Sequence, residues 1–327
     1  MIDLLFLAAG DDPASHVKDV ILLPGDWHPG QFRILTMHMV TLIVAGIATV
    51  LLLMLAGKAI ATGPESEGND RYITKGRFAQ VIEAMVVYLR DEMLVPVLGD
   101  HGARKFLPFL LTLFFFILCN NLIGIIPFAD LQHLLGIDKM MGGKTWFGGT
   151  ATSNIAITAG LAIIAGLVIV VNGFIDLGPK EFFKHMTGGL VDGPPVQVLL
   201  LSPVILIVFF VEILGLFIKP TALAIRLFAN MVAGHILLAV LLSFGYAAVK
   251  GAGGFGGTPI LIWGVTGIAS LLIFFLEVFV AFLQAFIFMF LTAVFVSLLM
   301  HHDDHDHEEA HDGHDDIAVA AEEAQIA

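Results

Sequence analysis

The chain has 327 residues, of which 57% are hydrophobic and only 14% charged, and its mean hydropathy is +0.90. A domain whose whole surface faces water cannot carry that composition, so lipid must solvate much of the chain. The formal charge of −13 is local: residues 301–327 hold ten of the 29 carboxylates and none of the 16 Lys and Arg, leaving −3 for the rest. The acidity therefore belongs to a tail, and it argues against nucleic-acid binding.

The opening residues, MIDLLFLAAG, contain a short apolar stretch without a basic flank and are not read as a signal to be removed. Residues 1–33 are expected to form an extracytoplasmic amino-terminal segment and residues 34–300 the membrane domain. Within it, residues 34–57, 106–129 and 153–175 each supply the ~20 apolar residues that cross a ~30 Å hydrocarbon core. Residues 77–98 read differently. Phe78, Val81, Ile82, Met85, Leu89 and Met93 recur at helical spacing among Gln80, Glu83, Arg90 and Asp91, which suits an amphipathic helix lying in the membrane interface.

The last two apolar regions, 197–249 and 258–300, far exceed a perpendicular crossing. Each is either two spans or one tilted or kinked helix. The strong break in the first is Lys219-Pro220, and two residues cannot form a polar turn within lipid. The expected architecture is thus an all-α integral membrane protein with five transmembrane helices, the last two forming a long tilted hairpin, plus one interfacial helix. The hairpin is expected to kink near Pro220 and to turn at the Gly-rich stretch 251–257. Five crossings leave nine Lys and Arg on one side, from Lys58 to Lys184, and five on the other: Lys18, Arg33, Lys139, Lys144 and Lys250. That bias places the amino terminus outside and the carboxy terminus in the cytoplasm.

Ionisable groups inside a span are expensive and need a partner, water or a function. Glu212, Lys219 and Arg226 recur every seven residues and Asn230 follows four later, so all lie near one helical face. His235 is about 180° round from Arg226. In the final region Glu277 and Gln284 are seven apart. Residues at equal depth in an antiparallel hairpin have nearly constant sums of residue numbers. Arg226 with Gln284 gives 510 and His235 with Glu277 gives 512, which puts the turn near residue 255 or 256, inside GAGGFGG. His235 and Glu277 are accordingly expected to pair, nearer the outer face than Arg226. Direct pairing of Arg226 with Glu212 is excluded along a continuous helix, where 14 residues span about 21 Å.

The stretch KPTALAIRLFANMVAGH (219–235) resembles the signature around the essential arginine of the F-type ATP synthase subunit a family, and LQAFIFMFLT (283–292) resembles that family's last helix. Similarity in layout covers roughly residues 75–300. Arg226 and Asn230 fall on the family's arginine and asparagine, Gln284 on its glutamine, and Glu212 on an acidic position toward the inner side. Some members carry an acid where His235 stands and a histidine where Glu277 stands; here the pair is reversed. The resemblance implies a proton-translocating stator subunit in the inner membrane of a bacterial cell, with two offset half-channels. The implied partners are a ring of proteolipid c subunits bearing carboxylates, peripheral-stalk b subunits and the remaining ATP synthase subunits. It implies no catalytic role for the chain itself and no cofactor.

The residues fit no competing class as well. No G-x-x-x-x-G-K-[ST] phosphate loop occurs. A secondary transporter should show internal repeats and interrupted helices in both halves, and a metal exporter should cluster His or Asp ligands in its spans; neither pattern is found. The tail HHDDHDHEEAHDGHDD is expected to be disordered and solvated, with incidental metal affinity rather than a metal site. Cys119 is read as packing, Lys219 as a snorkelling or kink-satisfying residue, and Asn120, Asn121, Thr152 and Asn154 as interhelical hydrogen-bonders.

Overall fold

The computed structural model describes residues 36–59, 74, 76–126, 128, 148–188, 190–192, 194–251 and 256–300. The expected segment 1–33, the tail 301–327, most of the loop 130–150 and residues 252–255 of the turn lie outside the described residues. The described elements are α1 (Met37–Ala59), α2 (Arg77–Tyr88), α3 (Val95–Ile125), α4 (Ile155–Met186), α5 (Pro195–Gly251) and α6 (Gly257–Met300). Five stretches are long and apolar enough to cross a membrane: Met37–Lys58, Arg77–Ile125, Ile155–Asp176, Val196–Gly251 and Gly257–Leu298. The protein is an all-α, multi-pass membrane protein.

Two glycines set the corners of the fold. A π-helical stretch, Leu89–Leu94, joins α2 to the first residues of α3, and the helical course over residues 77–98 is a helix separate from the second span, as the sequence predicts. The axis of α3 breaks at Gly99, with φ 68° and ψ 171°, a conformation essentially closed to residues with a side chain. Ile82, Leu89, Leu94 and Leu98 are buried before this corner, while Phe78 and Val81 stay exposed. The apolar stripe of α2 thus splits into a side packed on protein and a side left for lipid. Gly178 repeats the device in α4, with φ 74° and ψ 161°, just before Pro179. The short arm beyond it folds against its parent helix through Phe182, which stacks on Phe174 at a centroid distance of 4.1 Å.

The core lies between α3 and α6, with α5 on its flank. Ala281, Ala285, Phe288, Met289, Ala293 and Val296 of α6 are fully or almost fully buried and recur at three- and four-residue intervals. The alanines let α3 approach closely, and Phe114 and Phe115 fill the space between. Phe114 meets Phe282 edge-on at 5.6 Å. At one end of the bundle Lys105 Nζ donates to Asp176 Oδ2 at 2.7 Å, fixing α3 and α4 at equal depth. Ser297 Oγ donates to the Val97 carbonyl at 2.6 Å and ties the end of α6 to the α2–α3 corner.

Helix α5 has 57 residues and α6 has 44, or about 86 and 66 Å at a rise of about 1.5 Å per residue. Helices of that length that keep their apolar residues within a ~30 Å core must lie far from the bilayer normal. The helical course of α5 continues through both Pro203 and Pro220. The corner at Gly99 gives a direct check on this architecture. Gly99→Ala should destabilise the detergent-solubilised protein by roughly 1–3 kcal/mol, the usual cost of forcing a side chain into such a conformation. A lowered thermal unfolding midpoint in detergent, with Gly57→Ala as an unstrained comparison, is the expected result.

Candidate functional site

The hairpin of α5 and α6 brings polar residues together at two levels. At the level nearer the turn, His235 of α5 and Glu277 of α6 meet Nδ1 to Oε1 at 3.2 Å, an ion pair when the imidazole is protonated. Glu277 is 3% exposed, and among the described residues its carboxylate makes no hydrogen bond beyond this contact. A carboxylate withdrawn from water needs such a partner to be tolerated. The pair fits because residue 234 is glycine: a Cβ there would stand 2.9 Å from Glu277 Oε1. The other ring nitrogen of His235, Nε2, is hydrogen-bonded to Thr150 Oγ1.

Thr150 is the residue that sequence reasoning missed. It precedes α4 in a segment without periodicity, and the residues singled out there were its neighbours Thr152 and Asn154. Thr152 Oγ1 donates to Asn121 Oδ1 at 2.8 Å, and Asn121 Nδ2 donates to the Ala281 carbonyl at 3.4 Å, so these two do bridge elements. Asn154 Oδ1 accepts from the Ala156 amide at 3.0 Å, as a residue capping the start of α4 does. Asn120 turns back to the Phe116 carbonyl of its own helix at 2.8 Å.

One and a half turns further along α5 lies the second level. Asn230 Nδ2 donates to Gln284 Oε1 at 2.7 Å. Gln284 is 1% exposed and its Nε2 has no hydrogen-bond partner among the described residues. Arg226, one turn from Asn230, was expected near the depth of Gln284; the residue that bonds Gln284 is Asn230. Arg226 itself is exposed, as are Ala222, Ala229 and Ala233 on the same face. Among the described residues nothing forms a hydrogen bond or ion pair with its guanidinium. The hairpin therefore buries Glu277 and Gln284 of α6 and turns the Arg226 cation outward, near exposed Asn230 and bordered by small side chains.

Farther along, Glu212 and Lys219 are half-buried. Lys219 Nζ sits 5.3 Å above the centre of the Phe295 ring, a cation–π contact that accounts for a lysine deep in an apolar helix. Glu212 has no hydrogen bond or ion pair among the described residues. No group of three His, Cys, Asp or Glu comes together among the described residues.

The two-level register can be tested without reference to activity. With His235 and Glu277 both replaced by Cys, a short thiol-specific bifunctional reagent should link the two positions, detected by mass spectrometry of the digested protein. Cys at 235 and 279 should not be linked, because Phe279 is 64% exposed on another side of α6.

The family model for the ATP synthase A chain matches residues 35–297, a region that includes all of the site. The "ATP synthase subunit a" of Myxococcus xanthus is 34% identical over 257 residues, covering 76% of this chain and 71% of that one. The subunit of the same description from Chloroherpeton thalassium is 36% identical over 286 residues, covering 87% and 72%. That of Anaeromyxobacter dehalogenans strain 2CP-1 is 39% identical over 230 residues, 70% of this chain but 51% of its own. The chain thus spans about half the length of the Anaeromyxobacter relative it matches. A family match over residues 35–297 and relatives above 30% identity of which the chain covers more than two thirds make this protein a member of the ATP synthase A chain family.

Proposed function

We propose that this chain is the stationary, proton-conducting subunit of the membrane sector of an ATP synthase, and that it acts through Arg226. The observation that carries this reading is the exposed guanidinium of Arg226 within a membrane-spanning helix, bordered by Ala222, Ala229 and Ala233 and with no partner among the described residues. An unpaired cation inside a membrane span is costly unless something supplied from outside the chain meets it. A ring of proteolipid c subunits, each with a lipid-facing carboxyl, fits that need.

A carboxyl surrounded by lipid stays protonated, because burial disfavours the charged form. It ionises when it meets a fixed cation or water. An arginine stays charged at any working pH. Arg226 would attract the ionised carboxylate, favour proton release on one side, and repel protons that would otherwise pass straight between two offset half-channels. Asn230 and Gln284 would orient that encounter through their hydrogen bond. Histidine is the side chain that exchanges protons near neutral pH, so His235 with Glu277 would relay protons from the outer side, and Glu212 would line the inner outlet. On this reading the amino terminus is outside and the carboxy terminus in the cytoplasm, in the inner membrane of a bacterial cell. Peripheral-stalk b subunits would hold the chain still while the ring turns, and nucleotide chemistry would belong to other subunits.

Arg226→Ala should abolish acidification of inverted vesicles by ATP while the subunit is still present at normal level by immunoblot. Arg226→Lys keeps a charge but loses the planar, multi-donor geometry, so it should be severely impaired too. Pumping by Arg226→Ala vesicles near the unmodified rate would refute the reading. His235→Ala and Glu277→Ala should each slow pumping, and the double change should cost much less than the product of the two, as coupled neighbours do.

A further inference from the structure

We infer that Thr150 is a positioning residue for proton transfer, whose hydroxyl holds the His235 ring with Nδ1 toward Glu277 in both of the ring's charge states. This rests on the proposed relay through His235 and Glu277. A histidine ring held at one nitrogen alone can turn over, exchanging nitrogen for carbon at nearly the same shape. His235 is held at both: Nδ1 by Glu277 and Nε2 by Thr150. A hydroxyl both donates and accepts. It can donate to Nε2 when the ring is neutral and accept from the Nε2 hydrogen when the ring is charged. The contact therefore survives each proton passage, and the ring stays aimed at the carboxylate.

The surroundings of Thr150 are built to fix it. It is 1% exposed. The Ser153 amide and hydroxyl both donate to its carbonyl, at 3.0 and 2.7 Å, closing the short helical turn Ala151–Ser153. On one side, Thr41 of α1 donates from Oγ1 to the Gly148 carbonyl at 3.1 Å. On the other, Thr152 is bound to Asn121 of α3. Gly124 of α3 lies directly under the Thr150 side chain, where any Cβ would overlap it. The segment before α4 is thus stapled to α1 and α3, and what it presents to α5 is the Thr150 hydroxyl. No Asp, Glu, His, Lys or Arg occurs in residues 106–125 of α3 or 155–175 of α4; α1 brings buried His38 beside Gly149, and the acid that meets His235 is Glu277.

The test compares three substitutions in the assembled complex, read as initial rates of ATP-driven acidification of inverted vesicles with the subunit level checked by immunoblot. Thr150→Val keeps the shape and removes the hydroxyl; it should slow pumping about as much as His235→Ala. Thr150→Ser keeps the hydroxyl and should restore most of the rate. Adding Thr150→Val to His235→Ala should cost little more, since the hydroxyl acts through that ring. An unmodified rate in Thr150→Val, an equal loss in Thr150→Ser, or a full multiplicative loss in the double variant would each overturn the inference. If His235→Ala and Arg226→Ala both pump normally, the proposed proton path itself fails. If they are impaired while Thr150→Val is not, only the role of Thr150 does.

Discussion

An apolar layer penalises every unpaired charge and every unmet hydrogen-bonding group, and the arrangement of α5 and α6 is a response to that penalty. Glu277 and Gln284, both buried on α6, each meet a polar side chain of α5: half-buried His235 and exposed Asn230. Lys219 meets the face of Phe295 instead. Arg226 alone of the charged groups in the middle of α5 is left on an exposed face. The same helix pair thus buries Glu277 and Gln284 on α6 and leaves the Arg226 cation and Asn230 exposed on α5, and the proposed function depends on that arrangement.

The enclosure holds only while the register of the two helices holds. Several contacts remote from the site constrain it. The alanine-rich stripe of α6 packs against Phe114 and Phe115 of α3, where a slide of one residue would turn the stripe away from its partner. Ser297 anchors the end of α6 to the Gly99 corner, and Asn121 reaches the Ala281 carbonyl one turn beyond Glu277. Gly234 leaves the room that the Glu277 carboxylate occupies. Packing of small residues and a few interhelical hydrogen bonds is how helices gain specificity in lipid, where burial of apolar surface between them gains little.

Much of this was legible in the sequence because membrane helices obey simple rules of length and period. Charge-free runs gave the crossings, and the excessive length of residues 197–249 and 258–300 pointed to a tilted hairpin. Constant sums of residue numbers matched His235 with Glu277, since an antiparallel pair has one free parameter and the GAGGFGG turn supplied it. Other features depend on where the chain goes in space. Gly99 looks like any glycine until its φ is known, so the corner that divides residues 77–98 from the second span carries no signal of its own in the sequence. Thr150 carries no periodic signal, and its value arises only because Gly124 lets it reach His235. Lys219 likewise found a partner, Phe295, that no spacing rule indicates.

The central claim is that the outward guanidinium of Arg226 is completed by an acid from another subunit. Electron cryo-microscopy of the intact membrane sector, at a resolution that shows side chains, tests it most directly. The account predicts a carboxylate of a neighbouring ring subunit within about 4–6 Å of the Arg226 guanidinium, the range in which one charge favours ionisation of the other, with small α5 side chains on either side of the contact. An Arg226 side chain that faces only lipid would contradict the account.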